Sequence, residues 1–255
     1  MLRRIISQVL ERFGYLVVSA SRFQELRAKE NYKPSEDVLA EHLRRLFERC
    51  QVDCVFDVGA NDGAFVEWLR KSVGFAGQVV SFEPIPAQVA VLAKKSADDP
   101  RWMICPFALG RSEGTNLFHV MESDVFSSFL KPDAGQPGKY ADSNKIQTTL
   151  PVQVSTVAKV WEDIRDKFGV SRMYLKMDTQ GFDLEVFAGA TSVLGSIVAL
   201  QSEVAFRRIY EGAADFYQAS EVFAEAGFRP SMLHPISFDN GLGMIEADGV
   251  YVNGN

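Results

Sequence analysis

From residue 52 onward, short apolar runs alternate with stretches of helical period. This alternation constrains the fold more than any other feature of the chain. The runs fall at 54–58, 78–82, 102–107, 173–177 and 197–202, and helical segments fit between them at 64–72, 86–96, 156–168 and 182–194. A strand that is apolar at nearly every position needs cover on both faces, and strands separated by helices pair in parallel. The expectation is therefore an α/β fold, a mostly parallel sheet with helices on both faces. The end of the chain differs. A helix around 216–226 leads to a run at 228–233, and after a glycine-rich turn 249–252 reads as a last strand. Final strands joined only by a turn must run antiparallel to each other.

The remaining segments are read by elimination. Residues 1–50 form an N-terminal helical extension with a break near 31–34, leaving 51–255 as the main domain. Ile5, Ile6, Val9, Leu10 and Phe13 recur at helical spacing. That face can pack on the domain, on a second copy in a homodimer, or peripherally on a membrane surface. No apolar run is long enough for a transmembrane helix, and no clear cleavage site follows the start, so a cytoplasmic location is expected. Between likely strands at 116–120 and 149–154 lies 121–148, rich in Ser, Asp, Gly, Pro and Lys. So long a connection is expected to be an insertion over a functional site.

Composition excludes some classes. The net charge of −6 argues against nucleic acid as a partner. The three cysteines include no CxxC pair, and no Asp/His set has metal-ligand spacing. No disulfide framework and no metal are expected.

The chemistry concentrates after the first run, in CVFDVGANDGAF, residues 54–65, where Asp57, Gly59, Asn61 and Gly63 occupy every second position. A strand-to-helix turn at the C-terminal edge of a parallel sheet is the usual place for a small ligand. Glycine lets backbone approach closely, and the next helix offers free N–H groups. A dinucleotide fingerprint fails, because Asn61 stands where the pyrophosphate-approaching glycine is needed. A Walker loop fails for want of GK[ST]. An acid at the start of the turn suits a ligand with an amino group and no phosphate. A second acid, Glu83 in FEP, ends the second run, where it can hold a ribose through its hydroxyls. Together the two acids suggest a nucleoside carrying a positively charged amino acid, which describes S-adenosylmethionine.

The stretches VFDVGANDG, SFEP, FALG and YLKMDTQGFDLEVFAGA resemble the class I methyltransferase fold, and within it the FkbM-type methyltransferases, over about residues 52–253. The resemblance implies a Rossmann-like, seven-stranded sheet with an antiparallel last strand, and S-adenosylmethionine as methyl donor. It implies O-methylation, often of sugars or polyketide-like natural products. By carry-over, Asp57, Gly59, Asn61 and Gly63 line the methionine end of the cofactor, Glu83 holds the ribose, and Ala108 and Leu109 lie at the adenine. The family usually has Glu before the glycine of its second motif, where this chain has Gln180.

Lys176 and Asp178 are two apart on the fourth run, so they share a side of it. One reading is a structural ion pair. The other has Asp178 orient or deprotonate an acceptor hydroxyl, with Lys176 setting the local charge. Glu203, His234 and Ser127 are the acceptor-side candidates, and Phe126 and Phe129 could close over a ligand. The acceptor is expected to be a small molecule or glycan. Rival readings are a natural-product methyltransferase and a non-catalytic scaffold on the same fold.

Overall fold

The structure, a computed structural model, describes residues 34–254. The helical reading of 1–33, with its apolar face, lies outside the described residues. By contacts the chain divides into residues 1–38 and 39–255. Of the first unit only 34–38 are described, as the opening of helix α1 (Pro34–Cys50).

The elements that follow are β1 (Cys54–Val58), α2 (Ala64–Trp68), β2 (Gln78–Phe82), α3 (Pro86–Lys95), β3 (Trp102–Cys105), β4 (Ala108–Leu109), β5 (Gly114–Met121), β6 (Ile146–Ser155), α4 (Val157–Phe168), β7 (Met173–Met177), α5 (Asp183–Ala188), β8 (Ile197–Ala205), α6 (Phe216–Glu225), β9 (Phe228–Phe238) and β10 (Met244–Asn253). Seven strands form one sheet in the order β3-β2-β1-β7-β8-β10-β9. The pairs β1–β2, β2–β3, β1–β7 and β7–β8 are parallel, and β10 inserts antiparallel between β8 and β9. This is the expected sheet with its antiparallel last strand.

Both faces are covered, as the continuous apolar runs require. On one face Leu39, Leu43, Leu46 and Phe47 of α1 pack with Val55, Tyr174, Ala199 and Val250. On the other, Trp161 of α4 and Phe223 of α6 pack with Phe56, Leu175 and Phe187. Every residue of β1, β2 and β7 is buried.

Three expectations on element bounds are corrected. The helix expected over 64–72 is α-helical only to Trp68 and continues as a π turn, Leu69–Val73, closed by Gly74 at φ 79°. The helix expected over 182–194 is α-helical only over Asp183–Ala188 and resumes as a 3₁₀ segment, Thr191–Ser196; Gly189 between them lies against the backbone of Gly110, and a Cβ there would stand 2.1 Å from the Gly110 oxygen. The closing hairpin is longer than the runs at 228–233 and 249–252. Pro230 and Pro235 and the exposure of most residues of β9, an edge strand, hide its length from an apolar-run reading.

The middle of the chain is more ordered than a loop insertion. Ala108–Leu109 is itself a short strand, and β4, β6 and β5 make a second, three-stranded sheet. The 121–148 segment between β5 and β6 carries short 3₁₀ turns at Asp124–Phe126 and Gly138–Tyr140. Its Phe126, Leu130 and Tyr140 pack onto Met121, Ile209, Tyr210, Ala213 and Ile245. Among the described residues, no helix is long and apolar enough to cross a membrane.

Candidate functional site

The parallel strands β1, β2 and β7 end at one edge of the sheet, and a cavity of about 470 Å³ opens there. The turn after β1 forms its floor. Gly59 has φ 80°, and a Cβ on it would stand 2.0 Å from the Asp178 carbonyl oxygen. Its conformational freedom thus lets two strand tips touch, and Gly59 also lines the cavity. Asn61, left-handed at φ 45°, turns its N–H onto Glu83 Oε2 at 2.9 Å. Gly63 serves packing: a Cβ would meet Leu92 and Trp102 at 2.8 Å, and the residue does not line the cavity.

Asp57 does not line it either. The register sets Asp57 between Ser81 of β2 and Lys176 of β7. Its carboxylate is fully buried and accepts from Ser81 Oγ and from Lys176 Nζ, each at 2.9 Å. It is sealed from the cavity, so Asp57 meets a ligand only through Lys176 and the turn. Lys176 reaches further, to 3.5 Å from Asp178 Oδ2, and its ammonium sits over the Phe65 ring. Burial alone would lower the Lys176 pKa, but the charges of Asp57 and Asp178 outweigh it and the net direction is upward. Lys176 and Asp178 both line the cavity, with Asp178 the more exposed of the two.

Glu83 lies just past the end of β2, where no strand supplies a cation. Its oxygens accept from the backbone N–H groups of Asn61 (2.9 Å) and Ile85 (2.8 Å). Burial pushes its pKa up to about 7 against the pull of those hydrogen bonds. Beside it Ile85, Ala108, Leu109 and Phe118 form an apolar wall.

Phe129 continues this wall, its ring 4.9 Å from that of Phe118, and Gln180, Glu203, Ser127 and Phe126 also line the cavity. Ser127 Oγ accepts from the Met121 N–H at 3.2 Å. Burial, with the nearby charges of Asp178 and Glu246, raises the Glu203 pKa well above the carboxylate range. His234 is buried opposite Asp248 in the β9–β10 hairpin and does not line the cavity; Ile236, two residues on, does.

Sequence reasoning missed Tyr140, Glu246 and Asp183. The Tyr140 hydroxyl, from the inserted segment, donates to Glu246 Oε2 at 2.6 Å, and both residues line the cavity. Asp183 is the hub of the turn after β7. It accepts from Thr179 N–H (2.9 Å), Ser202 Oγ (2.6 Å) and Glu203 N–H (3.1 Å). Its position in the first turn of a predicted helix was the available signal. Tyr140 gave none, because it acts from a segment with no periodicity.

A family profile described as methyltransferase FkbM domain matches residues 57–230. No curated protein matches the chain. Among solved structures the chain is similar to the 1,6-didemethyltoxoflavin-N1-methyltransferase of Burkholderia thailandensis, at 9% identity over 94% of this chain and 93% of that one, with a TM-score of 0.43. It is similar to the magnesium protoporphyrin IX methyltransferase of Synechocystis PCC 6803, at 10% identity over 91% and 90%, with a TM-score of 0.43. Against LepI in complex with SAM it shows 11% identity over 79% of this chain, with a TM-score of 0.38, and spans 43% of that chain.

Proposed function

The chain belongs to the FkbM methyltransferase domain family, and we propose that it is an S-adenosylmethionine-dependent methyltransferase that delivers the methyl group to a hydroxyl of a sugar or glycan. One observation carries the reading. A single cavity is lined both by a carboxyl held by two backbone N–H groups, Glu83, and by the carboxyls of Asp178, Glu203 and Glu246.

The residues present fit the donor. Each Glu83 oxygen keeps a further lone pair beyond its backbone bond, as a vicinal diol needs. Ile85, Ala108 and Leu109 offer apolar surface to a purine. When bound, S-adenosylmethionine supplies an electrophilic methyl group. The chain's task is then to aim the acceptor oxygen and take its proton. A sugar hydroxyl is a poor acid, and Asp178 is placed to accept its hydrogen bond and then its proton. Much of the rate comes from in-line placement. Phe126, Phe129 and Ile236 give the C–H face of a sugar ring an apolar surface, and Glu203 and Glu246 give its hydroxyls acceptors. The test is incubation with methyl-labelled S-adenosylmethionine and a panel of sugars, glycans and natural-product alcohols. Label on a sugar oxygen is expected. Label on nitrogen or carbon, or on the non-sugar alcohols alone, overturns the acceptor assignment.

A pH dependence follows from Glu83. Its ionised form accepts from both hydroxyls of a diol, and protonation, half complete at about pH 7, removes that capacity. Donor affinity is expected to be flat above pH 7 and to fall by up to about tenfold per unit below it. Folding has the opposite sign. A carboxyl whose pKa is raised by folding contributes stability at low pH that is lost as pH rises through about 7. Calorimetric titration and thermal denaturation across this range check both, and affinity that is level through pH 7 contradicts the assignment.

A further inference from the structure

We infer that Gln180 is a positioning residue of the transfer site, a clamp whose side-chain amide fastens Asp178 and Glu203 together on the cavity wall. The inference rests on the reading of this cavity as the site of methyl transfer.

The geometry is specific. Gln180 Nε2 donates to Asp178 Oδ1 at 3.0 Å and to Glu203 Oε2 at 2.6 Å, so each of its hydrogens meets one carboxyl. Its Oε1 lies 2.7 Å from the Tyr210 hydroxyl, which is also 2.9 Å from the Phe126 carbonyl oxygen. The Gln180 carbonyl oxygen accepts from Ser128 Oγ at 2.8 Å. In this orientation each amide hydrogen meets a carboxyl oxygen; flipped, the amide oxygen would face both carboxyls, which suits neither while they are ionised. The backbone is held at φ 54°, left-handed, where few residues other than Gly, Asn and Asp are found. That conformation follows Asp178 by two residues and belongs to the turn that Asp183 organises.

The clamp resolves a conflict of charge. Asp178 stands just past the end of β7 and Glu203 within the neighbouring β8, and burial together with the charge of Asp178 raises the Glu203 pKa. The groups that act on Glu203 are mostly acidic: Asp178, Glu246, Asp248 and Asp183. Among the described residues lining the cavity, Lys176 is the single cation, and its ammonium is shared by Asp57 and Asp178. Glu246 is already engaged by Tyr140 and by Ser237 Oγ at 3.1 Å. A neutral group with two N–H donors lets Asp178 and Glu203 approach without adding charge. Asp178 is then fixed through one oxygen by Gln180 and steadied through the other by Lys176 at 3.5 Å. Through Tyr210 and the Phe126 carbonyl the side chain of Gln180, and through Ser128 its backbone carbonyl, tie the inserted segment to the strand tips.

The test is carboxyl ¹³C NMR titration of the full chain labelled at Asp and Glu, with Asp178→Asn and Glu203→Gln assigning the two signals. Gln180→Glu sets a third carboxyl where the two donors were, and one more proton must be shared. The Glu203 signal is expected to titrate higher than in the wild type. Gln180→Met keeps length and removes the donors, and should move the Glu203 titration and the Asp178 chemical shift while changing the charge of nothing. Should Gln180→Glu fail to fold, Tyr210→Phe frees the amide and is expected to shift the Glu203 signal. Titrations in the folded variants that overlay the wild type overturn the clamp, even if the variants lose thermal stability, since filling space alone moves stability and leaves the titrations in place. Absence of S-adenosylmethionine binding by the wild type would instead overturn the functional reading, with the carboxyl titrations still deciding whether the amide joins the pair.

Discussion

Replacing Lys176 with Met is expected to destabilise the fold by about 3–5 kcal/mol, the range for removing one partner of a buried ion pair. Asp57 is fully buried, and Lys176 Nζ at 2.9 Å is its one cationic partner at hydrogen-bond distance. Without the ammonium, Asp57 must stay charged in a low-dielectric interior or take up a proton. Ser81 Oγ remains as a donor, but Trp102 Nε1 already donates to that hydroxyl and nothing replaces the charge. Adding Asp57→Asn to Lys176→Met should recover most of it, because the penalty is the orphaned charge rather than the missing contact. Urea denaturation of the single and double variants measures this. A loss below about 1 kcal/mol, the range of an exposed pair, contradicts the buried-pair account.

Gly59→Ala is expected to cost about 3–4 kcal/mol, combining the left-handed backbone of a residue with a Cβ and overpacking at a backbone contact. The methyl would stand 2.0 Å from the Asp178 carbonyl oxygen, which is held in the turn and cannot swing aside like a flexible side chain. Relief requires the tips of β1 and β7 to separate, which shifts Asp178 relative to Glu83. Cofactor affinity and methyl transfer should therefore fall along with stability. Gly74→Ala is the control. It has a comparable φ of 79° and nothing within 4 Å of its added Cβ, so it carries the backbone cost alone. Chemical denaturation of the two variants should differ by about 1–3 kcal/mol, the overpacking share. Equal losses would mean that the β1–β7 contact is not what demands glycine.

The sheet was legible because each central strand is apolar on both faces, as at Cys54–Val58 and Met173–Met177, and such strands have few other places to go. Less legible were features decided by register or by distant segments. Asp57 and Glu83 look alike in the sequence, each an acid at the tip of an apolar run. Their environments diverge because Asp57 lies within β1, flanked by Ser81 and Lys176, whereas Glu83 falls just beyond β2 and is met by backbone N–H groups. His234 illustrates a phase problem. The β9–β10 pairing shifts register between Glu246 and Ala247, and Ile236 rather than His234 lines the cavity. Ala108–Leu109 is too short to signal a strand, and exists as one because β6 offers Val154 and Ser155. Gln180 stood out by residue type, but its partners Glu203 and Tyr210 come from elsewhere in the chain, and no local pattern announces them.

The central claim is that Glu83 holds the methyl donor at this cavity. Calorimetric titration with S-adenosylmethionine, on the wild type and on Glu83→Ala at a pH above 7, tests it most directly. Loss of two hydrogen bonds to a charged acceptor, about 1.5 kcal/mol each, should weaken binding by about 100-fold in a variant that still unfolds cooperatively. Affinity in the folded variant equal to that of the wild type would contradict the account, and the donor would have to be held elsewhere.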